Sequence, residues 1–229
     1  MLIQDRKKIE NISKSYIEGG RERVIFKNIN IIINDGESIA IVGPSGTGKS
    51  TLLNLIAGLV DGDTGNIYVD DINIANLKKR DKLKLRIDKY GFIFQHFNLI
   101  SSITCLDNIL VPALAKTKKP DMDYIMSLVK KLEIESCVNK YPLYMSGGEQ
   151  QRTAIARALV NKPQIILSDE ATGNLDAENS ENVMKLLDEC RKEHGQIMIY
   201  VTHDESLCKY ADRVIRVKRD GGISEEKTS

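Results

Sequence analysis

Residues 38–51 read Ser38-Ile39-Ala40-Ile41-Val42-Gly43-Pro44-Ser45-Gly46-Thr47-Gly48-Lys49-Ser50-Thr51. The first five residues are a short apolar run of strand character, and Gly43 to Ser50 fit the pattern G-x-x-x-x-G-K-[ST]. From Leu52 to Leu59 the apolar spacing turns helical. In a strand–loop–helix context the small loop residues let successive backbone N–H groups turn inward onto an anion, next to the partial positive charge of a helix N-terminus. Lys49 then faces the β- and γ-phosphates of a nucleotide, and the Ser50 hydroxyl is suited to Mg²⁺. Gly43 through Thr51 are therefore the candidate nucleotide-binding stretch.

Such a loop needs an acidic partner, and Gln164-Ile165-Ile166-Leu167-Ser168-Asp169-Glu170 supplies one. A buried strand would deliver Asp169 to the metal shell, and Glu170 beside it could polarise a water for in-line attack on the γ-phosphate. Alone, an apolar run ending in two acids is an ordinary strand exit; downstream of a phosphate loop it gains a function. The surrounding pattern is strand at Ile165–Leu167, helix near Glu178–Arg191, strand at Ile197–Val201 and helix near Glu205–Tyr210. Strands alternating with helices predict a largely parallel sheet covered on both faces. Upstream, Val24–Phe26, Ile29–Ile33 and the stretch from Ile67 to Ile74 read as strands separated by turn residues. The tail after Asp220 reads as frayed.

The middle of the chain is helical. Asp121 is a plausible N-cap, with Met122, Ile125, Leu128, Val129 and Leu132 recurring at helical spacing behind it. Ser146 similarly caps a helix whose core face is Ala154, Ile155, Ala158 and Leu159. The stretch Met145-Ser146-Gly147-Gly148-Glu149 places two glycines in a helix's first turn, exposing backbone N–H groups as a second anion site. Residues 96–160 are expected to form a mostly helical subdomain. Residues 1–95 and 161–229 then form the nucleotide-binding core with an antiparallel β edge, within a single domain of residues 1–229.

Together these stretches resemble the ATP-binding cassette (ABC) family over nearly the whole chain. Met145 to Glu149 look like its Leu-Ser-Gly-Gly-Gln signature, with Met145 and Glu149 as departures that spare the Ser-Gly-Gly contact. Ser146, Gly147, Gly148 and Glu149 are by that resemblance expected to touch the ATP of an opposite subunit. Gln95 resembles the glutamine linking the nucleotide and Mg²⁺ site to the helical subdomain. Gly173-Asn174-Leu175-Asp176 resembles the loop through which Asp176 contacts the other subunit. His203 resembles the switch histidine, and Tyr16 an aromatic residue that stacks on adenine. Ala171 stands where the family usually has proline. The resemblance implies a P-loop ATPase fold of α/β class using ATP and Mg²⁺, with Glu170 and His203 catalytic and Ser50, Gln95 and Asp169 around the metal.

The 33 basic and 32 acidic residues nearly cancel, so nucleic-acid binding through bulk charge is unsupported. No apolar run approaches the roughly 18 residues needed to cross a bilayer, and the polar N-terminus is not a secretory signal. The four cysteines are scattered without C-x-x-C pairing, which favours a reducing compartment. The expectation is a cytoplasmic protein, peripheral on the inner face of the membrane through a transmembrane permease on a separate chain, with a second ABC subunit completing a homodimer. Tyr90-Gly91-Phe92-Ile93-Phe94-Gln95, the stretch Glu18 to Arg23 and Thr172 to Asp176 look like the branch serving lipoprotein release, macrolide export and antimicrobial-peptide resistance. A non-transport cassette acting on DNA or ribosomes is the alternative, but such chains typically carry two cassettes or a long coiled-coil insertion. A phosphate-loop GTPase would need an Asn-Lys-x-Asp string, which is absent. Phe97, Leu99 and Ile100 are apolar beside the expected junction; they are either subdomain core or the wall of a groove for a partner helix.

Overall fold

The computed structural model describes residues 7–173 and 175–228. Strand β3 (Ser38–Val42) is buried at every residue, as a central strand covered on both faces must be. Its side chains alternate between two cores. Ile39 and Ile41 pack with helix α1 (Lys49–Ile56), whereas Ala40 and Val42 pack with helix α6 (Ala177–His194). Strands β7 (Ile165–Asp169) and β8 (Ile197–Val201) divide in the same way, Leu167 and Ile199 to the α1 side and Ile166, Met198 and Tyr200 to the α6 side.

These strands belong to a six-stranded sheet. It is completed by β6 (Tyr90–Phe94), β9 (Arg213–Val217) and β10 (Ile223–Lys227), in the order β10-β9-β3-β8-β7-β6. All its pairings are parallel except β10 on β9. A four-stranded antiparallel sheet, in the order β2-β1-β4-β5, covers the α1 side. Its strands are β1 (Lys7–Glu18), β2 (Arg21–Ile33), β4 (Thr64–Val69) and β5 (Ile72–Asn73). The apolar stretches at Val24 and Ile29 are thus one strand, whose pairing with β1 shifts register three times between Ile9 and Ser15.

Between β6 and β7 the chain makes helices α3 (Cys105–Lys116), α4 (Met122–Lys131) and α5 (Gly147–Leu159). Thr104 and Asp107 cap α3 reciprocally, and Asp121 caps α4 by accepting the Tyr124 N–H. Ile109, Ile125, Val129 and Ile155 are buried in the core that also contains Ala40 and Tyr200, so helical layer and sheet share one apolar interior. Among the described residues, no helix is long and apolar enough to cross a membrane.

Three elements depart from the sequence reading. Helix α1 stops at Ile56, short of Leu59, because the chain doubles back and the Leu59 and Val60 N–H groups both bond the Asn54 carbonyl. Helix α2 (Lys79–Lys89) has little apolar period, and charged residues hide it; Lys82 is its one buried residue and pairs with Asp61. The tail is not frayed at Ile223–Lys227, where the backbone pairs with β9 from Val217 to Arg213 and Glu225 meets Arg213.

Candidate active site

Parallel strands bring their carboxyl ends to one edge, and the register here aligns the predicted residues along it. Ile41 is opposite Val201, Val201 opposite Asp169, and Asp169 opposite Phe94. The residues that leave these strands are therefore neighbours: Gly43 after β3, Glu170 after β7, Thr202 and His203 after β8, and Gln95 after β6.

The loop after β3 is shaped by its glycines. Gly48 caps α1 in the left-handed region at φ 99°, and a Cβ there would fall 2.3 Å from the Ile25 side chain. Only glycine fits. Lys49, 5% exposed, donates to the carbonyls of Gly43 at 2.9 Å and Pro44 at 3.0 Å. Thr47 Oγ1 also bonds the Pro44 carbonyl. Burial pulls the Lys49 ammonium below its ordinary range, against the opposing influence of Glu170 and Asp169. Ser45, Gly46, Ser50 and Thr51 complete the stretch at this edge.

Ser50 Oγ donates to Asp169 Oδ1 at 2.9 Å, which joins the first turn of α1 to the end of β7. Burial pushes the Asp169 carboxyl up, partly offset by that hydrogen bond. A desolvated carboxylate and a hydroxyl held together, with Gln95 close by, form an oxygen donor set that suits a small hard cation such as Mg²⁺. Glu170 follows in a left-handed conformation at φ 49°, and its Oε1 lies 2.6 Å from His203 Nε2. The pair lines a cavity of about 260 Å³ with Thr172, Gly173 and Thr202. Gln95 approaches this cavity from β6: its amide nitrogen would be 3.1 Å from a Cβ placed on Gly173. Ala171 is buried in the α6-side core, and Asp176 caps α6 through the Asn179 N–H. Asn174, within the expected dimer-contacting loop, lies outside the described residues.

Tyr16 lies on β1, 37% exposed, opposite Arg23 on β2. Arg23 donates to the Gly46 carbonyl, so the hairpin that carries Tyr16 is tied to the phosphate loop. Nothing in the sequence pattern singles out Arg23. The signature stretch heads α5 instead. Ser146 is exposed, its Oγ accepts the Glu149 N–H at 3.2 Å, and Glu149 Oε2 accepts the Ser146 N–H at 2.6 Å, a reciprocal capping box. Glu149 Oε1 also takes bonds from Cys137 and Lys140, partners that the sequence pattern does not suggest.

An apolar cavity of about 360 Å³ lies between α2, β6, α3 and α5. Leu59, Phe92, Phe94, Val111, Pro112 and Ala158 line it together with Arg86, Asn98, Arg157 and Asn161. From the stretch Phe97–Ile100, only Asn98 lines this groove; Phe97 and Leu99 are half-buried and Ile100 is exposed. The reason is local: Phe97 and Asn98 take left-handed backbone conformations, and the Arg157 guanidinium binds both their carbonyls.

The sequence pattern of the family described as ABC transporter matches residues 26–173. The chain is 40% identical over 226 residues to the uncharacterized ABC transporter ATP-binding protein MJ0796 of Methanocaldococcus jannaschii, covering 96% of each chain. It is 41% identical to the macrolide export ATP-binding/permease protein MacB of Campylobacter fetus, where 94% of this chain spans 34% of that protein. A solved structure described as a dimeric post-hydrolysis state of the MJ0796 cassette bound to ADP and Pi superposes with a TM-score of 0.89 at 39% identity, covering 96% of this chain and 98% of that one. With its phosphate loop, acidic pair and signature stretch in the same fold, the chain belongs to the ABC transporter family as an ABC ATPase, the ATP-binding subunit.

Proposed function

We propose that two copies of this chain close head to tail around two Mg-ATP, each nucleotide touching Lys49 of one copy and Ser146 of the other, and that hydrolysis drives a separate membrane subunit. The observation that carries the reading is the single edge at which Lys49, the Ser50–Asp169 pair and the Glu170–His203 pair meet. The dimeric, ADP- and Pi-bound state described for the MJ0796 cassette supports it, and a self-complementary two-fold contact is the simplest way to close such a site.

In this reading Lys49 and the inward backbone N–H groups from Gly43 to Ser50 hold the triphosphate, and Tyr16 stacks on the adenine. Ser50, Gln95 and Asp169 would hold Mg²⁺, which supplies charge neutralisation at the β- and γ-phosphates. Glu170 accepts the proton of the attacking water, and His203 keeps its carboxylate aimed. Ser146, Gly147, Gly148 and Glu149 close over the partner's γ-phosphate, with Asp176 at the subunit contact.

The likeness to MacB supports an exporter, or a lipoprotein- or peptide-handling system, in which this chain sits at the inner face of the membrane by docking on a permease. The apolar groove between α2, β6, α3 and α5 fits a short helix of that permease. Because β6 leads straight into Gln95, a change at the nucleotide would move one wall of the groove.

Glu170→Gln tests the chemistry. The variant is expected to bind ATP, to lose about 10²-fold or more of its hydrolysis rate, and to accumulate as an ATP-held dimer on a sizing column. Near-normal turnover would remove Glu170 from the catalytic role.

A further inference from the structure

We propose that Lys140 is a positioning residue for the nucleotide contact at the head of α5: it neutralises and fixes Glu149, so that Ser146 can offer its hydroxyl proton to the γ-phosphate held by the other subunit. The proposal rests on the cross-subunit reading above.

The geometry begins with how the two members of the capping box are used. Ser146 Oγ already accepts the Glu149 N–H, so its own O–H remains available to donate, and the residue is exposed. Glu149 is used at both oxygens. Oε2 receives the Ser146 N–H at 2.6 Å, and Oε1 receives the Cys137 thiol at 2.9 Å and Lys140 Nζ at 3.1 Å. These bonds, with the thiol first, hold the carboxyl at about 2, so it is anionic wherever the enzyme works.

That charge is the difficulty. A carboxylate in the first turn cancels part of the positive field at a helix N-terminus, where the arriving phosphate needs it. Glutamine in the same place could accept the Ser146 N–H without any charge. Lys140 resolves the conflict by bringing a full positive charge to Glu149. Its place is built in: the Lys140 N–H bonds the Cys137 carbonyl and its own carbonyl receives the Cys105 N–H, both at 2.8 Å. The short turn from Cys137 to Lys140 is thus pinned to the start of α3. Cys137 is fully buried, and burial pushes its thiol up, so it stays protonated and can only donate to the carboxylate.

The test compares wild type, Lys140→Met, Lys140→Arg, Glu149→Gln and the double variant Lys140→Met/Glu149→Gln. Steady-state ATP hydrolysis is measured at low and high salt, alongside binding of a fluorescent ATP analogue to the monomer. Lys140→Met leaves an unneutralised charge one helical turn from Ser146, and its KM for ATP is expected to rise about fivefold or more at low salt. The rise should shrink at high salt through screening, while monomer binding of the analogue stays unchanged. Lys140→Arg should keep the wild-type KM. The double variant should return to within about twofold of Glu149→Gln alone, because no charge is left to neutralise.

An unchanged KM in Lys140→Met at low salt overturns the proposal, and so does a raised KM that persists in the double variant, which would mark Lys140 as a fold contact only. Ser146→Arg separates this outcome from failure of the underlying reading. If Ser146→Arg abolishes hydrolysis while the monomer still binds the analogue, only the role of Lys140 is at stake. If Ser146→Arg hydrolyses ATP normally, the cross-subunit contact fails and the proposal falls with it.

Discussion

At the scale of single residues, the phosphate loop is held from outside as well as by its own backbone. The Gly46 carbonyl accepts from Arg23, and a trans peptide that points its carbonyl outward points the next N–H, that of Thr47, the opposite way. In the proposed nucleotide complex Arg23 would therefore aim a donor at the phosphates without touching them. Its side chain is 48% exposed and also meets Glu18, so the bond is screened. Arg23→Ala should cost about 1 kcal/mol, roughly a fivefold rise in the KM for ATP, with kcat nearly unchanged. An unaltered KM would show that the loop holds its shape alone. The sequence makes Lys49, Ser50 and Asp169 legible because their spacing encodes chemistry directly. Arg23, Cys137 and Lys140 act through a carbonyl or a carboxylate that only the fold brings near, so no local pattern announces them.

At the scale of elements, legibility follows burial. β3, β7 and β8 are each five residues long and nearly wholly buried, and the apolar runs Ile39–Val42, Ile165–Leu167 and Ile197–Val201 give them away. The caps at Asp121 and Ser146 are equally plain, because each side chain accepts the N–H three residues ahead. β10 shows no such run; it is an exposed edge strand held by pairing with β9 and by charge pairs, which polar residues serve well. The groove is read only from packing, since its walls come from four separate elements and its apolar residues are far apart in sequence. Val111 is the useful probe, 43% exposed and lining the groove from α3. Val111→Asp is expected to leave ATP hydrolysis by the isolated protein within about twofold, as an exposed site allows, and to abolish co-purification with the membrane subunit. Retained co-purification would move the docking surface elsewhere.

At the scale of the whole molecule, two cores on opposite faces of one sheet assign different work to its two sides. The α1 side fixes the phosphate loop between β3 and the antiparallel sheet, because Ile25 and Phe26 pack against Gly48. The α6 side joins the sheet to α3, α4 and α5, so the helix headed by Ser146 is anchored in the same interior as the strand that ends at Asp169 and the strand that leads to His203. The described bonds of Ser146 run to Glu149 and Gln150 within that helical layer, and the phosphate it is proposed to meet belongs to another copy. The proposed shared site would form only between chains.

The most direct measurement is therefore complementation. Lys49→Ala deletes the charge proposed to offset the phosphates, and Ser146→Arg puts a bulky cation where the partner's nucleotide is proposed to close. Each variant alone should be inactive. Mixed under conditions where heterodimers are verified, they form one doubly damaged site and one site whose phosphate loop and signature are both intact. The account predicts that ATPase activity returns in the mixture, approaching one working site per heterodimer; a mixture that remains inactive despite verified heterodimers would contradict it.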